Sequence, residues 1–163
     1  MNRKVVYSGT FDPITLGHID LVHRALKMFD EVIIAVSTGE GKSPLFSLEE
    51  RVDFAASIFK ETKGVAVQPF NGLLVDFVSK TNACAILRGL RAVSDFEYEF
   101  QMAAINRKLN NIAETIFLTP SEKYTSISST MIRQVALIDP ERIASFVHPV
   151  VINALKNKCR FHG

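Results

Sequence analysis

Eleven residues near the start of the chain, Ser8-Gly9-Thr10-Phe11-Asp12-Pro13-Ile14-Thr15-Leu16-Gly17-His18, have the composition of a phosphate site. They follow a short apolar run and end where a helical pattern begins. Glycines let backbone N–H groups approach an anion, and a helix N-terminus adds partial positive charge at the same point. His18 falls in that first turn. A protonated imidazole there would oppose the helix dipole, so the ring is predicted to be neutral and to donate one N–H to a phosphate oxygen. Standing alone, the same histidine would read as a surface residue at a helix start.

Two further segments carry the same chemistry. Ile127-Ser128-Ser129-Thr130-Met131-Ile132-Arg133 follows an apolar run and opens a helix, which places hydroxyl and N–H donors where they can meet a triphosphate; its plainer reading is a serine N-cap. Arg88 and Arg91 end another apolar run. An isolated Arg-x-x-Arg is a solvated charge pair, but guanidiniums at the mouth of a parallel sheet suit bidentate phosphate contact. Gly39-Glu40-Gly41-Lys42-Ser43 looks like the end of a P-loop and is not one: Val36 stands where the first glycine is required, and Pro44-Leu45-Phe46 delays the helix to about Ser47. Lys42 then reads either as a loop lysine in solvent or as a flexible point charge for phosphate.

Other constellations are weaker. His23, His148 and His162 share no metal-ligand spacing with the two cysteines, so no residue is predicted to ligate a metal. No Gly-x-Ser-x-Gly elbow occurs. Asp95, Glu97 and Glu99 alternate on a helix where solvation would explain them.

Positioning these residues requires a repeated strand and helix pattern. Lys4–Tyr7, Glu31–Ser37, Val65–Pro69, Cys84–Leu87 and Thr115–Leu118 read as buried strands. Val22, Ala25, Leu26 and Phe29 form one face of a helix from about Gly17 to Phe29, and Val52, Ala55, Ala56 and Phe59 repeat that spacing. Ser47 with Glu50, and Ser94 with Glu97, read as capping boxes; the second precedes a helix carrying Phe96, Phe100 and Ala103. Leu73–Lys80, Ser129–Leu137 and Val150–Lys158 complete the helices, with Asp139-Pro140 as a break. Alternation of this kind predicts an α/β fold with a doubly wound, Rossmann-like parallel sheet of five strands, helices on both faces and C-terminal helices. In such sheets ligands bind beyond the carboxyl ends of the strands, and the candidate residues lie just after strands.

With 163 residues, 47% hydrophobic and 22% charged, the chain is predicted to form one globular domain over 1–163. A net charge of +2 is too mild to argue for nucleic acid. No stretch approaches the ~18 apolar residues of a membrane span, and the run after Arg3 and Lys4 is too short for a signal segment. Cys84 lies within the apolar run Ala83–Leu87, where a buried reduced thiol is expected; a cytoplasmic location follows.

The early Thr-x-Gly-His segment and the late ISSTxxR segment together resemble the paired signature of the class I nucleotidyltransferase superfamily. Gly9–Asp20, Gly72-Leu73-Leu74-Val75-Asp76-Phe77, Arg88-Gly89-Leu90-Arg91 and Phe96-Glu97-Tyr98-Glu99 narrow the resemblance to the phosphopantetheine adenylyltransferase family, in register from Lys4 to about Leu155. The resemblance implies strand order 3-2-1-4-5 and transfer of AMP from ATP to 4′-phosphopantetheine, giving dephospho-coenzyme A and pyrophosphate with no covalent enzyme intermediate. It implies that Lys42 and Arg88 hold the acceptor phosphate, that Leu73 and Leu74 line the pantetheine arm, and that Thr10 lies between the substrates. It sets His18 on the α-phosphate, Arg91 and Ser128, Ser129 and Thr130 on the β- and γ-phosphates, and Gly89, Tyr124 and Ile127 near the adenosine. Phe11, Leu90, Glu99, Thr125 and Ser126 complete the implied ATP site. Mg²⁺ arriving with ATP, a homohexamer and inhibition by coenzyme A are implied likewise.

Four positions depart from that family's pattern: Ser8 for a usual proline, Thr125-Ser126 for Ser-Phe, and Thr130 for serine. A different class I nucleotidyltransferase, or a non-catalytic nucleotide-binding regulator, remains open on the sequence alone.

Overall fold

The computed structural model describes residues 1–159, so His162 lies outside the described residues. Strands β1 (Lys4–Gly9), β2 (Glu31–Ser37), β3 (Val65–Phe70), β4 (Ala85–Gly89) and β5 (Glu114–Leu118) alternate with helices α1 (Leu16–Ala25), α2 (Leu48–Ile58), α3 (Leu74–Thr81), α4 (Val93–Leu109), α5 (Ser129–Ile138) and α6 (Pro149–Cys159). All strand pairs are parallel, in the order β3-β2-β1-β4-β5. Val5 stands beside both Val32 and Ala85, which puts β1 at the centre.

The alternation of side chains along each strand explains why the strands read as unbroken apolar runs. Val5, Tyr7, Val32, Ile34, Val36 and Leu87 face one core shared with α1, α2, α5 and α6. Val6, Ile33, Ala35 and Ile86 face a second, smaller core with Val78 and Ala83 beneath α3. A parallel sheet covered on both faces needs apolar residues at both parities.

Several local expectations change. The first helix stops at Ala25 rather than Phe29, because Lys27 N–H and Met28 N–H donate to carbonyls only three residues back, tightening the last turn. The Ser47–Glu50 capping box is present, but Ser94–Glu97 is not one. Helix α4 starts earlier, on Ala92, with no side-chain cap, and the first-turn Asp95 turns back toward Arg91. Cys84 is exposed, its thiol donating to the Lys4 carbonyl, so the buried-thiol premise fails; both cysteines are unpaired. After α5, Asp139 caps a 3-10 segment, Pro140–Phe146, that seats the fully buried Ile143. Among the described residues no helix is long and apolar enough to cross a membrane.

Gly64, before β3, has φ +82°, and a Cβ there would stand 2.7 Å from the Asp30 carbonyl oxygen. Gly64→Ala is expected to lower stability by about 1–3 kcal/mol, read from urea unfolding, with no change in ligand binding, because the residue lies at the far end of the sheet from the cleft described below.

Candidate active site

The carboxyl ends of β1 and β4 lie side by side where the winding of the sheet reverses, and a cleft of about 630 Å³ opens above them. The turn after β1 forms its floor. Asp12-Pro13 is a cis peptide bond, and Phe11 occupies the left-handed region at φ 47°. Edge-on contacts to Tyr7 at 5.2 Å and His18 at 5.0 Å hold the Phe11 ring, which is 4% exposed. Such packing offsets the conformational cost of that backbone.

His18 is fixed by a capping box the sequence did not announce. Its Nδ1 accepts from the Thr15 backbone N–H at 3.0 Å, and the Thr15 hydroxyl accepts from His18 N–H. An accepting Nδ1 puts the proton of the neutral ring on Nε2. Burial pulls the imidazole pKa down to about 4, and the Arg91 and Arg88 charges pull it the same way. The expected neutral state therefore stands. Its main cause is burial beside two arginines, rather than the helix dipole.

Arg88 and Glu99 form a bidentate pair: Nε donates to Oε2 at 2.8 Å and Nη2 to Oε1 at 2.7 Å. Arg88 Nη1 reaches the Ser8 carbonyl at 2.7 Å and the Ser8 hydroxyl at 3.2 Å, while Nη2 keeps a second N–H beyond the one given to Glu99. Burial opposes the Arg88 charge, but the Glu99 carboxylate outweighs it and raises the pKa. Glu99 is the one buried residue of α4, which corrects its reading as a solvated charge. Ser8, where the resemblance led us to expect proline, contributes an acceptor that proline lacks. Arg91 donates to the Ile127 carbonyl at 3.1 Å and lies 3.8 Å from Asp95. It thereby ties the end of β4 to the start of α5.

At that start the hydroxyls are already engaged. Ser128 Oγ accepts from Met131 N–H at 3.1 Å, so the N-cap reading holds for it, and Ser129 Oγ donates to the Pro13 carbonyl at 2.8 Å. Arg133, absent from the expected site, donates to the Asp12 carbonyl and lies 3.3 Å from the Thr130 hydroxyl. The motif arginine was visible in the sequence, but its reach across to the first turn was not. On the other side, Asp20 holds the Ser121 N–H and hydroxyl and so anchors the loop that carries Tyr124.

The cleft wall includes Thr10, Phe11, His18, Lys42, Leu74, Arg88, Gly89, Arg91, Glu99, Tyr124, Ile127, Ser128, Ser129 and Thr130. Leu90, Thr125 and Ser126 are not on it. Leu90 N–H instead joins β5 at the Leu118 carbonyl, and the Thr125 hydroxyl closes a turn onto Glu122. Leu73 is not on the wall either and is 55% exposed. Lys42 sits on an exposed loop whose Gly39 and Gly41 both have positive φ. Among the described residues no three His, Cys, Asp or Glu side chains cluster as a metal site.

A cleft of this shape and charge defines a nucleotide-handling protein, and the chain belongs to the cytidylyltransferase-like family, which matches residues 6–135. The fold is shared with a Plasmodium falciparum nicotinic acid mononucleotide adenylyltransferase complexed with NaAD (TM-score 0.71, 14% identity, 96% of each chain). It is shared also with a bifunctional NMN adenylyltransferase/ADP ribose pyrophosphatase from Francisella tularensis (TM-score 0.60, 19% identity, 85% of this chain and 42% of that one). Within the family the chain is one of the phosphopantetheine adenylyltransferases. It is 54% identical over 158 residues, 97% of this chain and 98% of the relative, to phosphopantetheine adenylyltransferase of Francisella tularensis subsp. mediasiatica (strain FSC147), and equally to that of subsp. novicida (strain U112).

Proposed function

We propose that the protein transfers AMP from ATP to 4′-phosphopantetheine, forming dephospho-coenzyme A and pyrophosphate. The observation that carries this reading is the convergence in one cleft of a neutral, Nε2-protonated His18 with Arg88 and Arg91. The 54% identity to phosphopantetheine adenylyltransferase supports the choice of acceptor.

The acceptor phosphate is already a nucleophile at neutral pH, so the reaction needs in-line positioning and charge neutralisation more than a general base. Lys42 and Arg88 hold that phosphate, and Leu74 lies along the pantetheine arm. Thr10 supplies a hydroxyl between the substrates. His18 donates Nε2–H to an α-phosphate oxygen as charge builds there. Arg91 and the N-terminal turn of α5 take the β- and γ-phosphates, with Gly89, Tyr124 and Ile127 beside the adenosine. Mg²⁺ brought by ATP would supply charge neutralisation on the triphosphate and the departing pyrophosphate, beside Arg91 and the N-terminal turn of α5. The reaction runs in one nucleotidyltransferase domain spanning 1–163, in the cytoplasm, a location supported by the two unpaired cysteines rather than by burial of Cys84, and coenzyme A, which carries both product halves, competes for the cleft.

The test is pyrophosphate release from ATP and Mg²⁺ with 4′-phosphopantetheine, against CTP in place of ATP and nicotinamide mononucleotide in place of the acceptor. Turnover with the first pair alone is expected; release with a competing pair and not the first overturns the choice of substrates. The protein works as a homohexamer in this reading. Val93, Phe96 and Phe100 on one side of α4, and Tyr98, Ile105 and Leu109 on the other, are exposed apolar side chains, which supports self-association. Light scattering is expected to give six chains, and Phe100→Asp to reduce that mass; a wild-type monomer counts against it.

A further inference from the structure

Arg51, on α2, is 1% exposed and is the largest fully buried side chain among the described residues. All four of its hydrogen bonds end on backbone carbonyls. Nε donates to Phe46 at 3.1 Å, Nη1 to Thr10 and to Ser37 at 2.7 Å each, and Nη2 to Thr38 at 3.2 Å. Those carbonyls come from three places: the turn after β1, the end of β2, and the lead into α2. The carboxylate of Asp12, 3% exposed, closes the same seam from the other side by accepting Leu45 N–H at 2.8 Å and Phe46 N–H at 3.0 Å. Gly39 lies beside the same seam at φ +82°, where a Cβ would stand 3.0 Å from Pro44 Cγ and in ordinary contact, 3.7 Å, with the Thr10 methyl.

Burying a guanidinium is costly unless its donors are satisfied, and an apolar side chain of that length would fill the space between α2 and the sheet more cheaply. What an apolar side chain cannot do is hold several carbonyls at fixed directions, which the planar fork of arginine does. We infer that Arg51 is a positioning residue: it locks the Thr10 turn to the loop that carries Lys42, and so sets where the acceptor phosphate stands relative to the nucleotide. The inference rests on the proposed adenylyl transfer, in which Thr10 and Lys42 face the acceptor. Arg51 itself does not line the cleft.

Arg51→Met keeps the volume and abandons the carbonyls; Arg51→Lys keeps the charge without the fork. Val151→Ala, on the buried face of α6, serves as a comparator of reduced stability away from the cleft. Both Arg51 variants are expected to raise KM for 4′-phosphopantetheine by about tenfold or more and to lower kcat, while ATP affinity measured without acceptor changes much less. Val151→Ala lowers Tm and leaves these constants alone. Wild-type KM and kcat in a folded Arg51→Lys protein overturn the inference. If neither Arg51 variant folds, Gly39→Ala strains the same seam at φ +82°, and an unchanged acceptor KM in that variant overturns it equally. If the wild type releases no pyrophosphate with this acceptor, the functional reading fails by itself. The positioning role is then read as faster amide exchange over 37–46 in Arg51→Lys than in Val151→Ala, and equal exchange rejects it.

Discussion

His18→Ala is expected to cut kcat by about a hundredfold or more while ATP still binds, the loss typical of removing one donor from a developing oxyanion. The imidazole is held by the Thr15 backbone N–H on Nδ1, so Nε2–H points its proton at a fixed place without reorganisation. Losing the ring also frees the Thr15 N–H, a capping loss worth roughly 1 kcal/mol. That is too little to unfold the protein, so a drop in turnover with retained ATP affinity reports the transition state. Unchanged kcat removes His18 from the mechanism.

The same residue makes a pH prediction. Its pKa is about 4 in the folded protein against an ordinary 6.5. Between those values the unfolded chain binds the extra proton and the native chain does not, so stability is full above pH 6.5 and falls as pH drops toward 4. Urea midpoints for the wild type are expected to decline from pH 7.5 to pH 5 more steeply than those of His18→Ala. Equal slopes would show that the ring is not held neutral. Turnover between pH 6 and 8 owes none of its pH dependence to this ring.

Arg88→Ala is expected to have the largest effect on stability. Glu99, with 11% of its side chain exposed, loses its bidentate partner and becomes a carboxylate buried without a counter-charge. Breaking such a pair from one side costs about 3–5 kcal/mol, a large share of the ~5–15 kcal/mol that holds a domain together. Acceptor binding goes with it. The double variant Arg88→Met/Glu99→Leu separates the two effects, because replacing both charges by apolar groups restores most of the stability. The urea midpoint should return toward wild type while pyrophosphate release stays absent. Recovery of activity in that variant would mean that Arg88 serves the fold alone.

These predictions depend on contacts of different legibility. The turn at Gly9–His18, the helix opening at Ser128 and the arginines after β4 could be read from local composition, because glycine, capping residues and strand–helix alternation act within a few positions of one another. Strand order followed from resemblance to a family rather than from the pattern of these residues.

What the chain determines by itself is thus the set of elements and the type of chemistry at their ends. Tertiary structure alone decided that Glu99 is buried against Arg88 rather than solvated, that Cys84 is exposed, and that Leu90, Thr125 and Ser126 stand off the cleft. It also decided that the Arg88 guanidinium reaches Ser8, 80 residues away, and that Arg51 reaches Thr10, 41 away. The physical reason is that the ionisation and direction of a buried polar group are set by what packs over it. Those partners come from other strands and loops, whose distance along the chain leaves no periodicity to read.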